Sequence, residues 1–277
     1  MIHLVTDSTS DFTRADAEAL GITVVPLTVR FGEEQYQDGV NLESDAFYAK
    51  LPSTSVHPTT SQPTPEQFTA VYRSLLQHDD DRIVSLHISA KLSGTLQSAH
   101  IAAQELDDRV LLVDSETVSA GLQLLVRAAA DDVAAGADVH AVCARAEQRR
   151  SRVTIYVLLD TLHYLQRGGR IGRAQALLGG MLGVKPVLTM IDGEVAPQAR
   201  VRSRRQGMQR IVELLKEKLP LRGLAAFHCG APELLPDLES QLRAAIPNVA
   251  IQTGQVGPVV GAYTGPGGVG IACLGAD

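Results

Sequence analysis

The chain opens on a short apolar run, "IHLVTD", that breaks into a cluster of cap and turn residues, "DSTSD", at 7–11. Two runs of the same kind follow, "RIVSLHIS" and "RVLLVDS", and "ITVVPLTVRF" also reads as extended. Between and after them the spacing becomes helical in "LESDAFYAKL", "GTLQSAHIAAQEL" and "TVSAGLQLLVRAAADDVAAG", the last stopping at Gly136. Buried strands separated by helices of this length predict right-handed crossovers and a largely parallel sheet. In such sheets ligands gather at the carboxyl ends of the strands. The polar clusters at 7–11, 89–95 and 114–119 all fall there.

The second half has another pattern. A helix over "HAVCARAEQRR" leads to a strand, "VTIYVLLD", and to a short helix, "TLHYLQRGGR", with a glycine stop. "KPVLTMIDGEVAPQARVRS" predicts a hairpin that turns at Asp192-Gly193. A helix "RQGMQRIVELLKEKL", a strand "LAAFHCG", another helix and two final Gly-rich strands complete the chain. The pattern predicts an α/β protein of two domains. Residues 1–150 form a mostly parallel sheet with flanking helices, and residues 151–277 an α+β domain.

Composition narrows the chemistry. The 277 residues are 45% hydrophobic but only 4% aromatic, with no Trp, so the interior must be built of Leu, Val, Ile and Ala. Such aliphatic walls suit an aliphatic ligand as readily as a plain core. A formal charge of −6 argues against a nucleic-acid footprint, which needs a basic face. Cys143, Cys229 and Cys273 are far apart and odd in number, as expected of free thiols in a reducing compartment. Asp7 interrupts any signal-peptide core, and the apolar stretch "ALLGGMLGV" stops well short of the ~20 residues that span a bilayer. A cytoplasmic monomer with at most transient membrane contact is expected. "GPGGVG" at 265–270 matches a dinucleotide fingerprint only as a string, since just seven residues follow Gly270. With no Walker A sequence and no metal spacing among the histidines, no metal or cofactor is expected.

Three stretches hold candidate chemistry. In "TTSQPTPEQF", Thr64-Pro65-Glu66-Gln67 fits a capping box with Pro at the first helical position. Thr60 and Ser61 lie just upstream on a loop stiffened by Pro58 and Pro63, either bonding their own backbone or serving as fixed donors. In "SAKLSGTLQSA", Ser93 can cap the helix, hook an anion at the helix start, or act as a nucleophile. Gly94 would let a ligand approach the backbone, and no G-x-S-x-G elbow surrounds the serine. Past the hairpin, Arg200, Arg202 and Arg204 share one face if the strand runs that far.

Seven collinear segments together carry a resemblance that covers essentially the whole chain. They are "VTDSTSDF", "TTSQPTPEQF", "ISAKLSGTLQSA", "VDSETVSAG", "LDTLHYLQRGGRIG", "KPVLTMIDGEVAPQARVRSRRQ" and "GPVVGAYTGPGGVG". The sequence resembles the DegV family of bacterial fatty-acid-binding proteins. The resemblance implies one long-chain fatty acid in an apolar tunnel between two domains. It implies a carboxylate held near Thr60 and Ser93, with Ser61, Gly94 and Thr95 as neighbours and Arg202 reaching the same region. It further implies a carrier without catalysis of its own, which presents its acid to a separate fatty acid kinase for acyl-phosphate formation and phospholipid synthesis. The Arg167–Arg170 turn fits the family's "GGRI" and is a candidate docking point for a partner. One position departs from the family pattern: its "HTGPG" is "YTGPG" here, which puts a phenol, Tyr263, where an imidazole could charge. The rival readings are a serine hydrolase or acyltransferase using Ser93, and a regulatory protein with lipid as a structural plug.

Overall fold

The structure, a computed structural model, describes residues 1–178 and 183–277; the middle of the apolar stretch "ALLGGMLGV", 179–182, lies outside the described residues. In the first half, four strands form one parallel sheet in the order Ile22–Val25, Ile2–Asp7, Arg82–His87, Val110–Asp114. Alternate side chains serve opposite faces. Leu4, Val84 and Leu86 pack with Leu122, Leu125 and Val142, whereas Val5 and Ile83 pack with Phe68, Tyr72 and Ala99. The sheet is therefore covered on both sides, which is why its strands read as nearly continuous apolar runs.

In the second half a six-stranded sheet runs Glu194–Val201, Lys185–Ile191, Val153–Leu158, Gly268–Gly275, Leu221–Cys229, Gln252–Gln255. Its pairs are antiparallel except the last. The hairpin turns where the sequence predicts, with Asp192 at φ 52° and Gly193 at φ 77°, the pair of positive angles that a two-residue turn of matching twist requires. Pro197 is tolerated because its strand is the sheet edge. Helices Arg204–Lys216 and Leu235–Ala245 cover one face. The other face packs on Ala120, Leu124 and Ala128 of the helix Ala120–Ala134, whose Leu122, Leu125 and Val126 serve the parallel sheet. That helix is apolar nearly all round because it lies between two sheets.

Two expectations need correction. "ITVVPLTVRF" is not one extended element: pairing with the parallel sheet stops at Val25, and Thr28–Phe31 joins a separate antiparallel sheet with Glu34–Gln37 and Thr59–Ser61. Thr60 and Ser61 thus sit on a short edge strand, Thr60 facing Val29, rather than on a loop. The last two Gly-rich strands are also not consecutive, since a helix Pro258–Thr264 intervenes. Its signals are local, with Pro258 at the first position and Gly265 at φ 67° past the end. "GPGGVG" accordingly joins a helix to a strand. A Cβ on Gly270 would stand 2.4 Å from the Tyr156 carbonyl, so the residue is there to let two strands approach.

One buried carboxylate organises the carboxyl edge of the parallel sheet. Asp7 Oδ1 accepts from the Thr9 N–H at 3.0 Å and from the Thr9 hydroxyl; Oδ2 accepts from the Ile88 N–H at 3.1 Å and faces His87 Nδ1 at 2.9 Å. His87 Nε2 lies 2.7 Å from Ser85 Oγ, which also receives the Tyr72 hydroxyl at 2.9 Å. The order Asp–His–Ser is that of a hydrolase triad, but Asp7, Ser85, His87 and Tyr72 are all 0% exposed, so the chain is a structural strut. Asp7→Ala strands the Thr9 N–H and hydroxyl, the Ile88 N–H and His87, and at about 1–3 kcal/mol for each unpaired group a loss of at least about 3 kcal/mol is expected in urea unfolding. A loss below about 1 kcal/mol would show that the strut is dispensable.

Candidate functional site

Where the parallel sheet, the small sheet and the helix Pro258–Thr264 meet, they leave a cavity of about 360 Å³. Its apolar lining is wholly aliphatic: Leu27, Ile88, Leu92, Val118, Leu165, Val195, Val259 and Val260. The low aromatic content of the chain is thus expressed at the cavity as a smooth wall with few specific contacts to offer. Thr60, Ser61, Gln62, Ser93, Arg170, Tyr263 and Thr264 supply the polar lining.

These polar groups form one continuous wall. The Thr60 and Tyr263 hydroxyls share a hydrogen bond of 2.5 Å. The Arg170 guanidinium lies 5.3 Å from the centre of the Tyr263 ring and donates from Nε to the Leu92 carbonyl at 3.1 Å. Leu92 is bonded to Ser93, whose hydroxyl pairs with that of Thr95 at 2.9 Å. The Gln62 amide closes the gap between the two motifs: a Cβ on Gly94 would stand 2.3 Å from its Oε1, and its Nε2 donates to Ser98 at 3.1 Å. Thr60, Ser93 and Tyr263 come together from positions 60, 93 and 263 because the short strand, the loop after Arg82–His87 and the helix Pro258–Thr264 all end at this wall.

The capping reading of Ser93 holds only in part. The helix Thr95–Ala103 takes Gly94 as its N-cap with no side-chain cap bond, and Ser93 Oγ only accepts a bond of 3.3 Å from the Thr95 N–H. Ser93 is half-buried and lines the cavity, Gly94 lies beside Gln62, and Thr95 is fully buried behind Ser93. Ser61 is exposed at the rim.

Arg202 is not brought to this wall. The edge strand stops at Val201 and Ser203 caps the next helix, so the three arginines do not share a strand face. Arg200 donates to the Ala176 carbonyl at 3.3 Å, and Arg202 is exposed in an outer groove with Gln206 and Arg210. Arg204 turns inward to Asp160, which also takes Lys185 Nζ at 2.7 Å. Burial works against ionisation of Asp160, but the hydrogen bonds from Arg204 and Lys185 outweigh it and hold the carboxyl below its ordinary value. The guanidinium that does line the cavity is Arg170, read from sequence only as a docking candidate. Gln62 and Thr264 also went unread. Gln62 lay inside a quoted motif, but its reach across to Gly94 is a tertiary fact.

Known proteins resemble this chain along its whole length. The model of a family described as "Uncharacterised protein, DegV family" matches residues 1–275. A DegV domain-containing protein of Streptomyces coelicolor is 38% identical over 274 residues, 98% of this chain and 97% of that one. Among solved structures, a DegV family protein from Thermus thermophilus, described for its fatty acid binding, aligns with a TM-score of 0.93 at 36% identity. That alignment covers 99% of each chain. DegV from Bacillus subtilis, described as a fatty acid binding protein, aligns at 0.91 and 32%, again over 99% of each chain.

Two glycines test how rigid the wall is. A Cβ at Gly168 would stand 2.3 Å from the Tyr263 ring, which cannot yield without leaving Thr60. Gly168→Ala is therefore expected to cost about 1–3 kcal/mol. At Gly94 the obstacle is the flexible end of Gln62, and Gly94→Ala should cost under about 1 kcal/mol. Urea unfolding of both variants measures the difference, and equal losses would mean that the ring is free to move.

Proposed function

Because the chain belongs to the DegV family, we propose that it binds one long-chain fatty acid in the aliphatic cavity and holds the carboxylate on the hydroxyl wall. The observation that carries this reading is the wall itself: two hydroxyls paired across 203 residues, Thr60 and Tyr263, and a third, Ser93, reached through Leu92 and Arg170. Donors gathered beside an otherwise aliphatic surface suit a ligand with one polar end. Thr60, Ser93 and Tyr263 donate to the carboxylate, Ser61 and Thr264 complete the rim, and Gly94 and Thr95 fix the Ser93 loop. Arg170 offers positive charge at the mouth.

Affinity and orientation then have different sources. Each buried methylene contributes about 0.8 kcal/mol, so a sixteen-carbon tail gains on the order of 10 kcal/mol before association costs of several kcal/mol. The head group adds direction more than strength. Tyr263 in place of an imidazole keeps this end of the site hydrogen-bonding through a phenol hydroxyl.

The chain acts as a carrier, a cytoplasmic monomer with at most transient membrane contact, and a separate fatty acid kinase phosphorylates the acid it presents for phospholipid synthesis. Arg202 and its exposed neighbours, away from the cavity, are available to such a partner. Against Ser93 as a nucleophile stands its hydroxyl partner, Thr95, which is not a base.

Denaturing extraction of the purified protein, followed by lipid mass spectrometry, tests the ligand directly. One equivalent of acid is expected, and none even after incubation with several acids would end the carrier reading. A hydrogen bond to a charged group contributes about 1.5–3 kcal/mol, so Ser93→Ala should weaken palmitate binding about tenfold or more with little change in Tm. Unchanged affinity with early melting would reduce Ser93 to a structural residue.

A further inference from the structure

Val259, Val260, Tyr263 and Thr264 all reach the cavity from one short helix, Pro258–Thr264. The start of that helix meets two buried carboxylates from the first half of the chain. The Gly257 N–H donates to Asp11 Oδ1 at 3.0 Å, and the Ser119 hydroxyl donates to Asp11 Oδ2. Asp38 is only 4% exposed and its Oδ2 finds no partner, with the Ser8 hydroxyl and the Val259 N–H on the side of its other oxygen favouring the ionised form. A Cβ on Gly257 would stand 2.8 Å from Asp11 Oδ1 and 3.5 Å from Asp38 Oδ1, so both carboxylates converge on one peptide.

The backbone around the pair is held in costly conformations. Asp11 sits at φ 54° and Ser119 at φ 55°, ψ −137°, a region that non-glycine residues rarely occupy. The Ser119 N–H is fastened to the Thr9 carbonyl at 2.7 Å. None of the groups facing the pair brings a positive charge, among the described residues. Asp7 is engaged with His87; Tyr48 and Cys229 are neutral; Ser119 and Gln123 face it from the long helix, and Arg127 on that helix turns to Asp16 at 3.5 Å.

We propose that Asp11 and Asp38 are positioning residues, a proton-dependent joint that sets the helix Pro258–Thr264 and through it Tyr263 and Thr264. With a proton on the pair the helix start is held. Loss of that proton puts a second negative charge into the same dry space, which is relieved by the helix start moving away. On the fatty-acid reading above, the joint couples the grip on the carboxylate to pH.

The electrostatics run in the same direction. Burial pushes Asp11 up to about 7, with Asp7 adding to the effect and the bonds from Ser119 and Gly257 opposing it. Burial, then the charge of Asp11, raises Asp38 well above its ordinary value. Cys229 is pushed up to about 12 and Tyr48 is raised by burial, so neither titrates near neutrality. A loosened joint returns Asp11 toward its ordinary 3.8, so the held state is favoured by protonation. Its advantage falls as pH rises toward about 7 and levels off above, a change of about tenfold in opening between pH 6 and 8.5.

Hydrogen exchange of residues 257–264, corrected for intrinsic rates, reads the joint without any ligand. Protection of the wild-type protein should fall about tenfold from pH 6 to 8.5. In the double variant Asp11→Asn/Asp38→Asn it should stay flat, because both amides are neutral throughout. Ser119→Ala, which removes a bond that favours the ionised form, should move the transition to higher pH. Calorimetric palmitate affinity should fall with pH in the wild type and stay flat in the double variant. Equal wild-type protection at both pH values, or a wild-type slope retained in the double variant, would overturn the joint. Absence of palmitate binding alongside the exchange change would overturn the fatty-acid reading and leave the joint standing.

Discussion

Five consecutive polar residues, 7–11, are buried or nearly so at the edge of a sheet covered on both faces, and the rest of the molecule is arranged to answer them. A buried donor or acceptor without a partner costs about 1–3 kcal/mol, and this segment carries many. Asp7 ties the first strand to His87 and Ile88 of the next, and Ser8 accepts from Leu27 of the small-sheet connection. Thr9 receives Ser119 at the head of the long helix, and Asp11 receives Gly257 at the head of the cavity helix. One loop therefore fixes the relative positions of two sheets and two helices.

The cavity is what remains between elements so fixed. The helix Ala120–Ala134 packs against both large sheets, whereas the short helix Pro258–Thr264 leaves its corner open as the cavity. The valines at 259 and 260 leave room that longer aliphatic side chains would have closed. Close approaches keep the wall in register: Gly168 lies under the Tyr263 ring and Gly265 under Tyr164, where any Cβ would collide. The small side chains at these points are as much part of the site as the hydroxyls.

Charge is kept out of the aliphatic space and concentrated around it. Asp160 is answered by Lys185 and Arg204, and Arg149 bridges Asp132 and Asp277 behind the sheets. Arg170 is exposed, yet its ion–ring contact with Tyr263 and its bond to Leu92 link the mouth to the hydroxyl wall. Asp11 and Asp38 are buried acids that no cation faces among the described residues, and they stand where the cavity helix begins.

What the amino-acid order determined by itself is the set of features that depend on neighbours in the chain. The apolar runs became the parallel strands, Thr64 and Gln67 formed the capping box, and Asp192-Gly193 turned the hairpin, because periodicity, caps and turns act over a few residues. Membership of the family was legible for a related reason, since its motifs sit at the strand ends where backbone geometry restricts the residue types. Tertiary structure alone decided the rest. Thr59–Ser61 is a strand only because Thr28–Arg30 lies beside it, and Ser93 left the cap to Gly94 because the loop leans toward Gln62. Arg170 rather than Arg202 reached the cavity, because Arg202 lies past the end of the edge strand in an exposed outer groove. Asp11 and Gly257, 246 positions apart, carry no mark of each other in sequence. Side-chain direction and long-range pairing follow from how elements pack, and packing is settled only when the whole chain has closed on its buried polar groups.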